Sequence, residues 1–316
     1  MKERDYPNED FRALVRYSNE ARKNKRIKFY DNKAPKEINW NAYTLSQISE
    51  AKETLLFIKR EVDKCQNPKK KVGRPSDYKT LTKAILVCGA LEFTERKGQG
   101  WLEIIGPFIG INEMIDDRVI GNAYSRPEVA YILKQIFDRN KNSNGILAGD
   151  GTGIETSRRQ NYENDCSTIK EFLTSIVDSR EIIQAFDFSG KDEGKAMHSL
   201  IEEVEGDSLR LDAGFNDREL VRKIAEKGII PYVYPNRINN INGSKGWSDM
   251  YLEFFTDVIY WLQEYYLRVH CESFHSSFKR VYGIMRKVKS HSKFVQISAR
   301  IILHNRARLS YFSKAE

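Results

Sequence analysis

Four cysteines in 316 residues, none of them in a C-x-x-C pair, exclude a zinc ribbon and a disulfide framework. Cys65, Cys88, Cys166 and Cys271 are scattered, a usage that suits a reducing compartment and predicts a cytoplasmic location. Long apolar runs are missing as well. None approaches the roughly 18 residues of a membrane span, so no membrane partner is expected. The opening MKERDYPNED does not read as a secretory leader. Neither an internal repeat nor a long low-complexity segment is present. What is there is an ordinary globular composition, 40% hydrophobic and 30% charged, long enough for a large core and two domains.

The charge is unevenly placed. Residues 1–75 hold 19 Lys and Arg against 11 Asp and Glu, a net of +8 that equals the net of the whole chain. Residues 76–316 therefore balance, 33 against 33. A basic N-terminal end suggests a polyanion partner, most simply nucleic acid; a solvated basic tail is the plain alternative. Within it, NPKKKVGRPSDY (67–78) is broken by Pro68, Gly73 and Pro75. Lys69, Lys70, Lys71 and Arg74 suit a phosphate backbone, with Gly-Arg-Pro in a minor groove; a simple linker reads equally well.

Periodicity divides the rest. Residues 43–64 repeat helically through Leu45, Ile48, Leu55, Ile58 and Val62. Residues 79–93 are helical again. In SRPEVAYILKQIFDRN (125–140), Ser125 suits a cap, Pro127 a first turn, and Val129, Ile132, Leu133, Ile136 and Phe137 form one stripe. From about 145 the texture changes. GILAGDGTGIE (145–155), EFLTSIVDS (171–179) and EIIQAFDFSG (181–190) read as strands. A helix (195–204), strand SLRLDAG (208–214), a helix from Asp217 to Gly228, strand IIPYVYP (229–235) and one long helix from about Asp249 follow. That order, βββ-α-β-α-β-α, predicts an α/β fold: a mixed sheet flanked by helices. The expected divisions are a basic region and linker (1–75), a helical region (76–142) and an α/β domain (143–316), closed by an amphipathic helix (about 292–313) through Phe294, Ile297, Ile301 and Phe312.

Three acids stand out by position. Asp150 is mid-strand in AGDGTG and shares a face with Thr152, while Gly149, Gly151 and Gly153 leave the other face open to close packing. Asp212 ends a strand before a helix, where open α/β sheets place their sites. Glu272 lies in YYLRVHCESFHSSFKR (265–280), where, on a helix, Tyr265, Arg268, Glu272 and Lys279 share a wedge of roughly 60°. Between the acids lie 61 and 59 residues. Converging carboxylates call for cations, and hard oxygen donors suit Mg²⁺ or Mn²⁺. Taken singly, the acids read equally as a turn aspartate, a strand-end cap and a salt-bridged glutamate. Cys271 and His275 read as packing and rim residues.

Together these stretches resemble the DDE-type insertion-sequence transposases. AGDGTG is similar to their first-Asp strand and LDAGFND to the second. Tyr265, Arg268, Glu272 and Lys279 match the YREK signature Y-x2-R-x3-E-x6-K without a gap. GIIPYVYPNR (228–237) resembles the segment after the second Asp. The resemblance covers about residues 140–305 and implies an RNase H-like core behind a helical DNA-binding region. It implies that Asp150, Asp212 and Glu272 hold two Mg²⁺ ions, with Mn²⁺ able to substitute, and that Tyr265, Arg268 and Lys279 hold DNA phosphates. It further implies a prokaryotic, nucleoid-associated enzyme that binds terminal inverted repeats and target DNA as a homodimer. The 59-residue gap before Glu272 leaves no room for the β-rich insertion some YREK relatives carry there.

Rival motifs fail on single residues. A Walker loop needs Gly-Lys-Ser/Thr, and Ile154 and Glu155 follow GDGTG. A Rossmann fingerprint needs GxGxxG opening a helix, and GxGxG lies here in a strand. The haloacid dehalogenase phosphatases place a nucleophilic Asp where this chain has Ala148. A decayed element that binds DNA without cutting is the non-enzymatic alternative.

Overall fold

The computed structural model describes residues 8–23, 38–69, 77–161, 165–190, 192–236 and 238–315, and for 157–161 and 165–169 the backbone alone. Among the described residues six α-helices come first: α1 (Asn8–Lys23), α2 (Trp40–Asp63), α3 (Tyr78–Ala90), α4 (Glu95–Ile105), α5 (Asp117–Ala123) and α6 (Pro127–Asn140). Then β1 (Ile146–Asn161), β2 (Asp165–Asp178) and β3 (Ile183–Asp187) lead through α7 (Glu193–Leu200), β4 (Ser208–Leu211) and α8 (Arg218–Glu226) to β5 (Ile230–Val233). The chain closes with α9 (Lys245–Thr256), α10 (Val258–Tyr265), α11 (Val269–Tyr282) and α12 (Ser290–Ala315).

One mixed sheet of five strands runs β3-β2-β1-β4-β5. β1, β2 and β3 are antiparallel neighbours, whereas β4 is parallel to β1 and β5 to β4. The α/β expectation and its element order therefore hold. Between Asp212 and Glu272 the described residues form α8, β5, α9 and α10, so the only strand there is β5. Among the described residues no helix is long and apolar enough to cross a membrane.

Apolar residues close two cores, one on each face of the sheet. One joins Leu147, Ile176, Leu209 and Leu211 to α7–α10 and to Phe11 and Val15 of α1. The other joins Ala148, Ile154, Leu173 and Val177 to α11, α12, α3 and α6. β1 serves both because its side chains alternate faces.

Several expectations change. Residues 1–40 read as polar, yet α1 forms and docks by Phe11, Leu14 and Val15, with Ser18 Oγ 2.9 Å from the Tyr234 hydroxyl. Leu45 and Ile48, expected to be inward, are 55% and 77% exposed; α2 instead buries Ala42 and Ser46 near its start and Phe57, Ile58 and Val62 in its second half. Pro127 opens α6 as expected, but Ser125 does not cap it: Arg126 holds that position, and the Ser125 hydroxyl meets Ser292 Oγ at 2.8 Å. The long helix expected from Asp249 is three helices, with a 3-10 turn at Tyr266–Arg268. α12 does more than cover the α/β domain, because it packs against α2, α3 and α6 as well.

Candidate active site

β4 ends beside the middle of β1, which runs on to Asn161. Their last register pair is Gly149 with Leu211, so Asp150 and Asp212 are the next residues along two parallel strands about 4.8 Å apart. Residues in register on parallel strands point to the same face, which gathers the two carboxylates without help from any loop. The opposite face of β1 is packed close, as its glycines predict. A Cβ at Gly149 would lie 2.7 Å from Leu211 and 2.9 Å from Met197 of α7, and one at Gly151 would run into the Glu193 carboxylate. Asp150 is therefore held by a strand that α7 backs tightly.

Asp212 is not a strand-end cap. Its side chain makes no capping bond to the turn that follows. Capping falls to Asp217, which accepts from Glu219 N at 2.8 Å. Asn216 ties the same loop down through the Tyr234 carbonyl, at 2.9 Å, and the Tyr251 hydroxyl. The Asp212 carboxylate instead accepts from the Tyr265 hydroxyl at 3.3 Å.

The other YREK residues arrive on the same face. Arg268 donates to Asp150 Oδ2 at 3.3 Å and to Glu272 Oε1, so one guanidinium bridges two of the three acids. Lys279 Nζ donates to Thr152 Oγ1 at 2.7 Å. Tyr265 is 2% exposed and stacked on Trp261, with centroids 5.4 Å apart, and its hydroxyl meets Asp212. Lys69 is exposed and far along the chain from these contacts; Lys70, Lys71 and Arg74 lie outside the described residues.

Burial sets the electrostatics. It pushes Asp150 up to about 6, and the charges of Asp212 and Glu272 add to the push; the Gly151 N–H, 2.9 Å away, and Arg268 oppose it without cancelling it. Burial works against the Arg268 cation, but the acidic groups around it, Tyr265, Asp212, Glu272 and Asp150, outweigh that and hold its pKa above the ordinary value. The pocket thus concentrates negative charge that a single arginine does not fully compensate.

Beneath the carboxylates lies a neutral polar layer that the pattern of acids did not reveal. Ser175 on β2 is the register partner of Asp150, and its Oγ is 3.0 Å from His275 Nε2. Burial, then Lys279 and Arg268, lowers His275 to about 3, so it is a neutral imidazole. Cys271 is fully buried, and burial raises its thiol above the ordinary range. Both are packing residues; His275 is not at the rim.

The donor set is chemically right for Mg²⁺: hard carboxylate oxygens, two of them in register on adjacent parallel strands, in a place that already attracts a cation. As the side chains stand, no three His, Cys, Asp or Glu among the described residues form a metal-holding cluster, and Glu272 is turned to Arg268. Comparison with protein-family models, curated proteins and solved structures finds no match for this chain.

Proposed function

We propose that this chain is a DNA transposase of the DDE type with an RNase H-like core, cutting DNA at the ends of an insertion sequence and joining them to target DNA. One observation carries the reading. Two acids far apart in sequence, Asp150 and Asp212, meet a Y-x2-R-x3-E-x6-K stretch whose arginine contacts Asp150 and its own Glu272, whose tyrosine contacts Asp212 and whose lysine contacts Thr152. The strand order, with β1 central and two parallel strands beside it, supports the RNase H-like part of the reading.

Asp150, Asp212 and Glu272 would hold two Mg²⁺ ions, or Mn²⁺ in their place, which would supply Lewis-acid stabilisation of charge on the phosphodiester oxygens. Tyr265 fixes the Asp212 carboxylate. Arg268 changes partner: when the acids are neutralised otherwise, its guanidinium is released to fork onto a phosphate. Lys279 places a point charge beside the same group. In the reaction, a water oxygen attacks the phosphorus, the P–O3′ bond breaks, and the element keeps a 3′-hydroxyl. That hydroxyl then attacks a target phosphate and displaces the target's own 3′-oxygen, with no covalent enzyme intermediate. Terminal inverted repeats, target DNA and a homodimeric complex in a prokaryotic cytoplasm complete the proposal.

The Arg268 bridge also favours a second reading, a transposase-derived protein that binds DNA without cutting, its Asp150 and Glu272 held by Arg268. Strand cleavage separates the two. Inverted repeats found in DNA flanking the reading frame, end-labelled and incubated with protein in Mg²⁺, Mn²⁺ or EDTA, should be nicked at the tip only with metal. Asp150→Ala, Asp212→Ala and Glu272→Ala should bind the repeat and lower the nicking rate by at least about a thousandfold, a ΔΔG‡ of about 4 kcal/mol. Near wild-type nicking by any of them would refute the site; binding without nicking by wild type would establish the second reading.

A further inference from the structure

The 43 residues from Ser273 to Ala315 contain ten Lys and Arg and no Asp or Glu. Most of that charge is spent inside the fold. Arg286 and Arg300 pair with Glu92, Lys287 with Glu95, Lys293 with Glu171, Arg306 and Lys314 with Glu53, and Arg308 with Glu181. Three cations have no acidic partner among the described residues: Lys279, Arg280 and Lys289. All three are exposed.

Their placement is not scattered. Beyond Gly149, β1 pairs with β2 but no longer with β4, so among the described residues its other edge has no partner strand from Asp150 until Met285 meets it at Glu155 and Thr156. Along that edge the chain lays Lys279 against Thr152. Gly283, at φ +51, then ends α11 and turns the backbone, and Met285 N donates to the Glu155 carbonyl at 2.9 Å while Met285 bridges Thr156. Arg280 precedes that turn and Lys289 follows it. From Asp150 to Glu155 is five residues, about 17 Å of strand, or roughly five base pairs of duplex at about 3.4 Å each. Val281, Ile284 and Val288 stand exposed between the cations, apolar surface beside charge.

We infer that this edge of β1, flanked by the end of α11 and the 283–289 loop, is a track for the DNA next to the cut phosphate, with Arg280 and Lys289 as its phosphate contacts beyond Lys279. This rests on the DNA-cutting reading and adds two residues to it that the YREK pattern leaves out. Neither touches the acids, so both can be removed without altering the chemistry of the site.

The test is duplex binding by fluorescence anisotropy, in EDTA so that nothing is cut, from about 50 to 200 mM KCl. The double variant Arg280→Ala, Lys289→Ala is compared with wild type and with Lys195→Ala, Lys245→Ala, which removes equal charge from α7 and α9. Losing two phosphate contacts should reduce the slope of log K against log salt by about 2. Across that fourfold salt range, the variant's affinity should then fall about tenfold less than wild type's. The α7/α9 variant should keep the wild-type slope. An unchanged slope for Arg280→Ala, Lys289→Ala, with wild type binding normally, would overturn the track and leave the cutting reading standing. If both double variants lose slope equally, the effect is net charge and the track is refuted. If wild type shows no salt-dependent binding at all, the track and the cutting reading fall together.

Discussion

Asp150 shows how much of a site one residue's surroundings decide. Its strand position was legible from AGDGTG, because alternation puts Asp150 and Thr152 on one face and glycines on the other. Its energetics were not, since burial depends on α7 and α11 arriving from elsewhere. In the folded chain its carboxyl titrates at about 6 against an ordinary 3.8. The folded state therefore binds this proton more tightly than the unfolded state does, and stability falls as pH rises from about 4 to above 6. The full shift corresponds to at most about 3 kcal/mol. Asp150→Asn keeps the shape and cannot ionise. It should be more stable than wild type by about 1–3 kcal/mol at pH 8 in EDTA and no more stable at pH 4, in denaturant titrations. A variant weaker than wild type at pH 8 would mean that the Arg268 ion pair outweighs burial. Tyr265 teaches the converse lesson: spacing gave its angle about the helix but not its depth, which its stacking on Trp261 sets.

At the scale of elements, the stretch that carries the signature is a crossing point. Tyr265 and Trp261 belong to the core on the α7–α10 side, while Cys271, Phe274 and Phe278 belong to the core on the α11–α12 side. A continuous α-helix would keep one buried stripe. Three residues of 3-10 helix advance the stripe by about 60° more than α-helix would, which moves burial from one core to the other while Arg268 faces Asp150. No glycine or proline marks this break, so only tertiary contacts set it. α11 is then pinned by Phe274, whose ring lies 5.2 Å from His275 and 5.0 Å from His304. Burial lowers both histidines, to about 3 and about 4. Because both are neutral when folded and protonate near 6.5 when unfolded, their contribution is complete above about 6.5 and lost as pH falls below it. Between pH 7 and 5 each should cost about 2 kcal/mol, against the opposite and smaller trend from Asp150. Unfolding free energies of Asp150→Asn and of Asp150→Asn, His275→Gln isolate the effect. The second variant should lose about half of the acid sensitivity, and equal slopes in the two would place the titrating group elsewhere.

For the whole molecule the question is whether the chain divides near residue 142, as the change from helical to strand periodicity suggests. α12 argues that it does not. Its sequence reads as a helix with one apolar face, yet residues Val295 to Arg306 are buried on every side, between the sheet and the earlier helices. The reason lies in pairings that no local pattern displays. Arg300, 2% exposed, reaches Glu92 after α3, and Arg306, 6% exposed, reaches Glu53 on α2. Cutting the chain before residue 143 would strip Ile297, Ile301 and Leu303 of their neighbours. It would also leave two guanidiniums without their carboxylates, and an unpaired buried charge commonly costs about 3–5 kcal/mol. Against a total stability of about 5–15 kcal/mol for a typical domain, the loss removes the native state of the fragment. Residues 143–316 expressed alone should therefore give a collapsed species with weak near-ultraviolet circular dichroism and no cooperative melt, whereas the full chain melts in one transition. Adding residues 38–142 as a separate polypeptide should restore the signal in part, because α2, α3 and α6 bring back the partners. A fragment that melts cooperatively by itself, close to the full chain's temperature, would show that the α/β part folds alone and that α12 only borrows the helical region as a cover.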